Sequence, residues 1–242
     1  MAGHSKWKNI QHRKGAQDAK RGKIFTKIAV EITVASKRGG GNPEDNPSLR
    51  TALAKAKAAN MPKENCDRAI KKGTGDLSLD SYSEKTYEGY GPGGVALLVE
   101  CLTDNVNRTV SNIRHAFTRA GGNLGTDGSV AWMFKRQGVV VYERKEVANL
   151  EALYEAAMES GAEDIKEEED MVEILCAPED FHRMQSKVLE LAPSPVAAEL
   201  TYNPENMAEL DADKALSLSK LIDILEDDDD VQNVYHNANL EA

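Results

Sequence analysis

Apolar residues recur at helical spacing in the first third of the chain and as short continuous runs after it. Between Ala16 and Ser36, Phe25, Ile28, Ala29, Ile32 and Ala35 fall at i, i+3 and i+4, while Lys20, Lys23, Lys27 and Glu31 take the other side. This predicts an amphipathic helix with a cationic face. The β-branched run Ile28, Val30, Ile32, Thr33, Val34 could also support a strand, but Gly39, Gly40 and Gly41 follow where a helix C-terminus belongs. Asn46-Pro47, a cap followed by proline at the first helical position, opens a second helix through Leu49, Ala52, Leu53 and Ala56. Pro62 opens a third that is expected to end before Gly73, with Lys71 and Lys72 in its last turn, where cations suit the helix dipole. The Gly, Ser and Asp-rich stretch GTGDLSLDSYSEKT then predicts a linker.

Beyond the linker the period changes. TYEGYGPGG is a turn beside a strand, and VALLVECL over residues 95–102 is a buried strand. Asp104 or Asn105 caps a helix with inner face Val110, Ile113, Ala116 and Phe117, and the loop GGNLGTDG leads to a strand expected at Val130–Phe134. Residues 137–205 give strand GVVVYE, a helix through Leu150, Leu153, Ala156 and Ala157, an acidic turn, strand MVEILCA, a helix through Phe181, Met184, Val188 and Leu189, and strand AAELTY. With one further strand, this order approaches the ferredoxin-like β-α-β-β-α-β pattern. A helix with Leu218, Leu221, Ile222 and Leu225 and a strand at Val231–Tyr235 complete a second α+β unit with residues 84–136.

The expected fold is therefore α+β multidomain: a three-helix domain, then two plait-like α+β domains, one inserted in the other. The expected boundaries are 1–78 for the basic helical domain and linker, 79–136 plus 206–242 for one α+β domain, and 137–205 for the insertion. The strand near 197–203 can belong to either α+β unit.

Charge divides the chain along the same line. The net charge of −10 would repel a polyanion, but residues 1–80 hold 17 Lys+Arg against 8 Asp+Glu, or +9, leaving 13 against 32, or −19, for the remainder. Lys6, Lys8, Arg13, Lys14, Lys20, Arg21, Lys23, Lys27, Lys37 and Arg38 face only Asp18 and Glu31 in the first 40 residues, a block able to neutralise several phosphates and release their counterions. A solvated basic helix face is the plainer reading of such a cluster. His4, Trp7 and His12 favour binding, because a ring among cations can stack on a base, although a lone Trp7 can equally anchor the tail to a core.

Catalysis finds little support. The histidines His4, His12, His115, His182 and His236 are scattered, without HExxH or a G-x-S-x-G nucleophile turn. Cys66, Cys101 and Cys176 lie far apart, without metal or redox spacing, which suits a reducing cytoplasm. The N-terminus lacks an apolar signal region, and no apolar run is long enough to span a membrane. Asp227–Asp230 is read as a solvated acidic helix end, not a magnesium site. The loop Gly121–Gly125 follows a helix and precedes a strand, the reverse of a phosphate cradle. In DNVNRT, Asn105, Asn107 and Arg108 sit at a helix N-terminus and are a possible secondary contact, as are Tyr87 and Tyr90; helix capping and packing on the turn are the competing explanations. No cofactor, metal, small-molecule substrate or membrane partner is expected, and the expected state is a monomer.

The segments AGHSKW, RGKIFTK, NMPKENCDRAIKKG, YEGYGPGG, DNVNRT and GGNLGTDGSVAWMF, in this order over nearly the whole chain, resemble the YebC/PmpR family, also known as the family of the mitochondrial translational activator of cytochrome oxidase. The resemblance implies a helical N-terminal domain, two α+β domains of related topology, and no catalytic activity or cofactor. It implies a DNA-binding transcriptional regulator or, alternatively, a ribosome-associated translation factor that binds rRNA and relieves stalling at proline-rich stretches. The family's basic signature falls on His4, Ser5, Lys6, Trp7, His12, Arg13, Lys14, Lys20, Arg21, Lys23 and Lys27.

Overall fold

In the computed structural model, which describes residues 21–75, 82–167 and 170–239, the chain divides into two compact units. One spans residues 132–207; the other joins the described residues before 132 to 208–239. The larger unit begins with helices α1 (Arg21–Gly39), α2 (Pro47–Ala58) and α3 (Lys63–Gly75). Helical period prevails over the β-branched run in α1 because Ile28, Ile32 and Ala35 then share one buried stripe with Leu49, Ala52 and Ala56 of α2 and Cys66 and Ala69 of α3. Asn46 joins two helix ends: its side-chain oxygen accepts from Leu49 N–H at 3.1 Å to start α2, and its amide donates to the Ala35 and Gly40 carbonyls at 2.8 and 2.9 Å to close α1. The third helix does not stop before Gly73, as its sequence suggests, but runs through it. A Cβ there would lie 2.3 Å from the Thr33 carbonyl oxygen, so glycine is what lets α3 cross α1 at this distance.

Strand β1 (Ser83–Tyr90) pairs antiparallel with β2 (Ala96–Thr103) around the Gly91–Gly94 turn, in register from Ser83↔Thr103 to Tyr90↔Ala96. Helix α4 (Val106–Arg119) and the two-residue strand β3 (Asn123–Leu124) follow. The chain returns to this unit for strand β8 (Ala208–Glu209), helix α7 (Ala212–Glu226), strand β9 (Val231–His236) and strand β10 (Ala238–Asn239), which pairs with β8. The main sheet has the order β3-β1-β2-β9, and Ile113 and Phe117 of α4 pack with Leu218, Leu221 and Leu225 of α7 on Leu97, Val99 and Val234. This is a two-layer plait of helices on an antiparallel sheet.

The smaller unit holds β4 (Phe134–Glu143), α5 (Leu150–Glu159), β5 (Ala162–Glu167), β6 (Met171–Cys176), α6 (Phe181–Leu191) and β7 (Ala197–Pro204). Its sheet order β5-β6-β4-β7, antiparallel throughout, is the ferredoxin-like arrangement, with Val140, Tyr142, Leu153, Ile174, Met184 and Val188 among its core. The strand near 197–203 belongs here, paired along β4. The missing fourth strand is β5, whose sequence AEDIKE reads as an acidic turn; it is an edge strand, where charge discourages pairing with other chains. The strand expected at Val130–Phe134 is absent. Residues 131–133 form a single 3₁₀ turn, and the strand starts at Phe134 and continues into GVVVYE.

No helix among the described residues is long and apolar enough to cross a membrane. The close crossing at Gly73 predicts that Gly73→Ala costs about 1–3 kcal/mol through overpacking. Urea unfolding would show it, and a stability equal to the parent would contradict the packing described.

Candidate nucleic-acid interface

Lys6, Trp7, Lys8, His12, Arg13, Lys14 and Lys20 of the expected basic interface, with His4 and Ser5, lie outside the described residues. Arg21 opens α1. Lys23 and Lys27 lie one turn apart on that helix, and both reach the end of α7. Lys23 Nζ donates to the Asp227 carbonyl at 2.9 Å and lies 3.4 Å from its carboxylate; Lys27 Nζ donates to the Glu226 carbonyl at 2.7 Å. The last carbonyls of a helix lack intrahelical partners and carry its negative pole, so two ammonium groups are well placed there. Burial lowers the pKa of Lys27, only partly offset by Glu226, Asp228 and Asp229. Arg38 pairs with Glu84 at the surface, and Lys37 is half-buried beside it. Two lysines of the cationic face read from the sequence, Lys23 and Lys27, are thus bonded to the protein's own acidic end.

That end is not simply solvated. Asp230 is 9% exposed, and the Arg108 guanidinium donates to both of its carboxylate oxygens, at 2.7 and 2.8 Å through one nitrogen and at 3.2 Å through Nε. Arg108 also reaches Asp104 at 2.9 Å, and Thr109 donates to Asp230 at 2.8 Å. The bonds to Asp230, then Asp104, raise the Arg108 pKa further above its ordinary value. Asn112 donates to Asp228 at 2.9 Å. Asn105 accepts from Arg108 N–H at 3.0 Å as the N-cap of α4, which leaves Asn107 exposed as the uncommitted member of the motif DNVNRT.

The glycine-rich loop is fastened by a residue the sequence did not single out. Glu88 lies between Tyr87 and Tyr90 on β1 and is 7% exposed; its carboxylate accepts from the backbone N–H groups of Gly128, Val130 and Ala131, each at 2.7 Å. Burial pushes its pKa up, but the three N–H donors outweigh burial and hold it below the usual carboxylate value. Because the Val130 N–H is bound to this carboxylate, it does not join a strand ladder, which explains the missing strand. Tyr90, 36% exposed, donates to the Ser129 carbonyl at 3.1 Å. Tyr87 is half-buried, and its hydroxyl has no hydrogen-bond partner among the described residues. Trp132, just beyond the loop, is 68% exposed.

Several cations elsewhere have open surroundings, and four of them cluster on one helix. Lys63, Arg68, Lys71 and Lys72 on α3 are exposed, and among the described residues none forms a hydrogen bond or ion pair through its side chain. Glu64 and Asp67 stand at i, i+4 spacing from Arg68 and Lys71 without closing a pair. Residues 21–75 hold 12 Lys+Arg against 5 Asp+Glu, or +7. Between α1 and α3 lies an open cleft of about 390 Å³ lined by Phe25, Met61, Asn65, Arg68, Lys72 and Tyr82, among others. The motif NMPKENCDRAIKKG holds four of these lining residues, Met61, Asn65, Arg68 and Lys72, and all four α3 cations; its helical period is visible in the sequence, but which charges stay unpaired is a tertiary fact.

The buried thiols of Cys66, Cys101 and Cys176 have their pKa values raised by burial, Cys176 to about 11, which disfavours the nucleophilic thiolate. Among the described residues no group of three or more His, Cys, Asp or Glu side chains could hold a metal ion.

Residues 5–76 match the family model described as TACO1/YebC protein N-terminal domain, and residues 82–238 match that of the TACO1/YebC second and third domain. A probable transcriptional regulatory protein of Syntrophotalea carbinolica is 55% identical, over 99% of this chain and 96% of that protein. One from Treponema denticola is 53% identical, over 99% and 97%. The crystal structure of a conserved hypothetical protein from Aquifex aeolicus is 46% identical and superposes with a TM-score of 0.78, covering 91% of each chain.

The Glu88 clamp carries a pH signature. Its folded pKa lies below the value of about 4.3 for an unperturbed glutamate, so its stabilisation is fully present above that value and is lost as pH falls through the folded pKa. Glu88→Gln is expected to cost about 2–3 kcal/mol at pH 7, the scale of hydrogen bonds to a charged acceptor. In urea unfolding the gap between parent and variant should narrow sharply at pH 3; a gap independent of pH would contradict the clamp.

Proposed function

We propose, because the chain belongs to the TACO1/YebC family, that it is a non-catalytic nucleic-acid-binding regulator of the cytoplasm, with DNA and a role in transcription as the first reading. The observation that carries this is the set of open cations on α3: Lys63, Arg68, Lys71 and Lys72, in a segment with net charge +7, within a protein that is acidic overall. Polyanion binding of this kind rests on neutralised phosphates and counterion release. The names of the Syntrophotalea and Treponema relatives, probable transcriptional regulatory proteins, support a regulatory role. The basic segment before residue 21 extends the same charge, with Lys6, Lys8, Arg13, Lys14 and Lys20 against Asp18, and Trp7 is a candidate stacking group there. Lys23, Lys27 and Arg108 support this reading less, since each is bonded to the protein's own carbonyls or carboxylates.

The test is the salt dependence of binding to duplex DNA and to ribosomal RNA fragments. Exchanging Arg68, Lys71 and Lys72 together for Gln should weaken binding at least about tenfold and reduce the slope of log K against log salt by about 2–3. Tighter binding to the ribosomal RNA would move the target from DNA to the ribosome. Full-length protein with no salt-sensitive binding to either would overturn the proposal.

A further inference from the structure

We infer that the cleft between α1 and α3 seats an unpaired nucleobase of a single strand, with Arg68 and Lys72 holding the phosphates beside it; this rests on the nucleic-acid reading above and deepens it. Three features define the occupant. The volume of about 390 Å³ is at the small end of ligand pockets, which run from about 300 Å³ upward, and so suits one nucleotide-sized group and not a packed partner helix. The lining is mixed in the way a base requires. Phe25 and Tyr82 are half-buried and both line the cleft, Phe25 packed against the helical core, Met61 adds a polarizable thioether, and the Asn65 amide can both donate to and accept from a base edge.

Charge complementarity then selects an anionic ligand. No carboxylate is among the described residues that line the cleft, while Arg68 and Lys72, one helical turn apart on α3, stand at its edge without internal partners. A duplex backbone could meet the same cations but keeps its bases stacked inside, out of reach of a cleft. A strand with an exposed base satisfies the aromatic lining and the cations together, as in sequence-tolerant single-strand binding, where each stacked base contributes through its π-face.

The experiment compares full-length protein binding to a short single-stranded oligonucleotide and to an abasic strand of equal length and charge. Both are made as RNA and as DNA, so the tighter sugar identifies the natural source. The expected result is a preference of about tenfold for the base-bearing strand, the scale of one stacked base. Phe25→Leu, which keeps the site apolar but removes the ring, should bring binding down to the abasic level. The abasic comparison uses the parent protein, so it does not depend on whether the variant folds. Equal salt-sensitive affinity for base-bearing and abasic strands would overturn the base seat and leave the general polyanion reading intact. Binding to neither strand would overturn both.

Discussion

The turn that ends α7 is the point on which the larger unit depends. Glu226 and Asp227 offer terminal carbonyls, and Asp227 a carboxylate, to Lys23 and Lys27 of α1, while Asp230 takes the Arg108 guanidinium and the Thr109 hydroxyl of α4. Chain segments some 200 residues apart are thereby tied to one acidic turn. The helix pole, the carboxylates and the three cations satisfy one another, so the two least exposed charges, Lys27 and Asp230, are not left unpaired. Helix–pole bonding also explains how so acidic a protein keeps a strongly basic helix beside its acidic end: the two are held together by their opposite sign.

This arrangement changes which charges the sequence leaves available. A run of lysines on one face of α1 suggests phosphate binding, yet Lys23 and Lys27 are bonded to the end of α7, while four exposed cations of the neighbouring α3 have no side-chain partner among the described residues. The cleft beside α3 combines aromatic surface with unpaired cations, the chemistry needed to hold a base and its phosphates. On the α+β side, Glu88 draws three backbone N–H groups of the glycine-rich loop onto one carboxylate, fixing a segment that would otherwise have no ladder to join.

Much of the fold was legible from local chemistry. Asn46-Pro47, the buried period of Ile28, Ile32 and Ala35, and the continuous apolar strand VALLVECL each specify their element without outside help. What escaped was set by distant partners. Strand β5 has one large apolar residue, Ile165, and is held as a strand by its pairing with β6. Residues 130–133 have strand-like composition, but the Glu88 carboxylate takes the N–H of Val130. Gly73 looks like a helix stop and is a contact point, because its meaning lies in Thr33, forty residues earlier. The site follows the same rule: charge is visible in a sequence, whereas which charges neutralise one another depends on packing.

Lysine footprinting of the full-length protein, acetylating surface amines with and without nucleic acid, distinguishes a contact through α3 from one through α1. Lys71 and Lys72 are expected to be labelled in the free protein and protected when it binds, while labelling of Lys23 and Lys27 stays the same. Protection that falls on Lys23 and Lys27, with Lys71 and Lys72 equally labelled in both states, would contradict contact through α3.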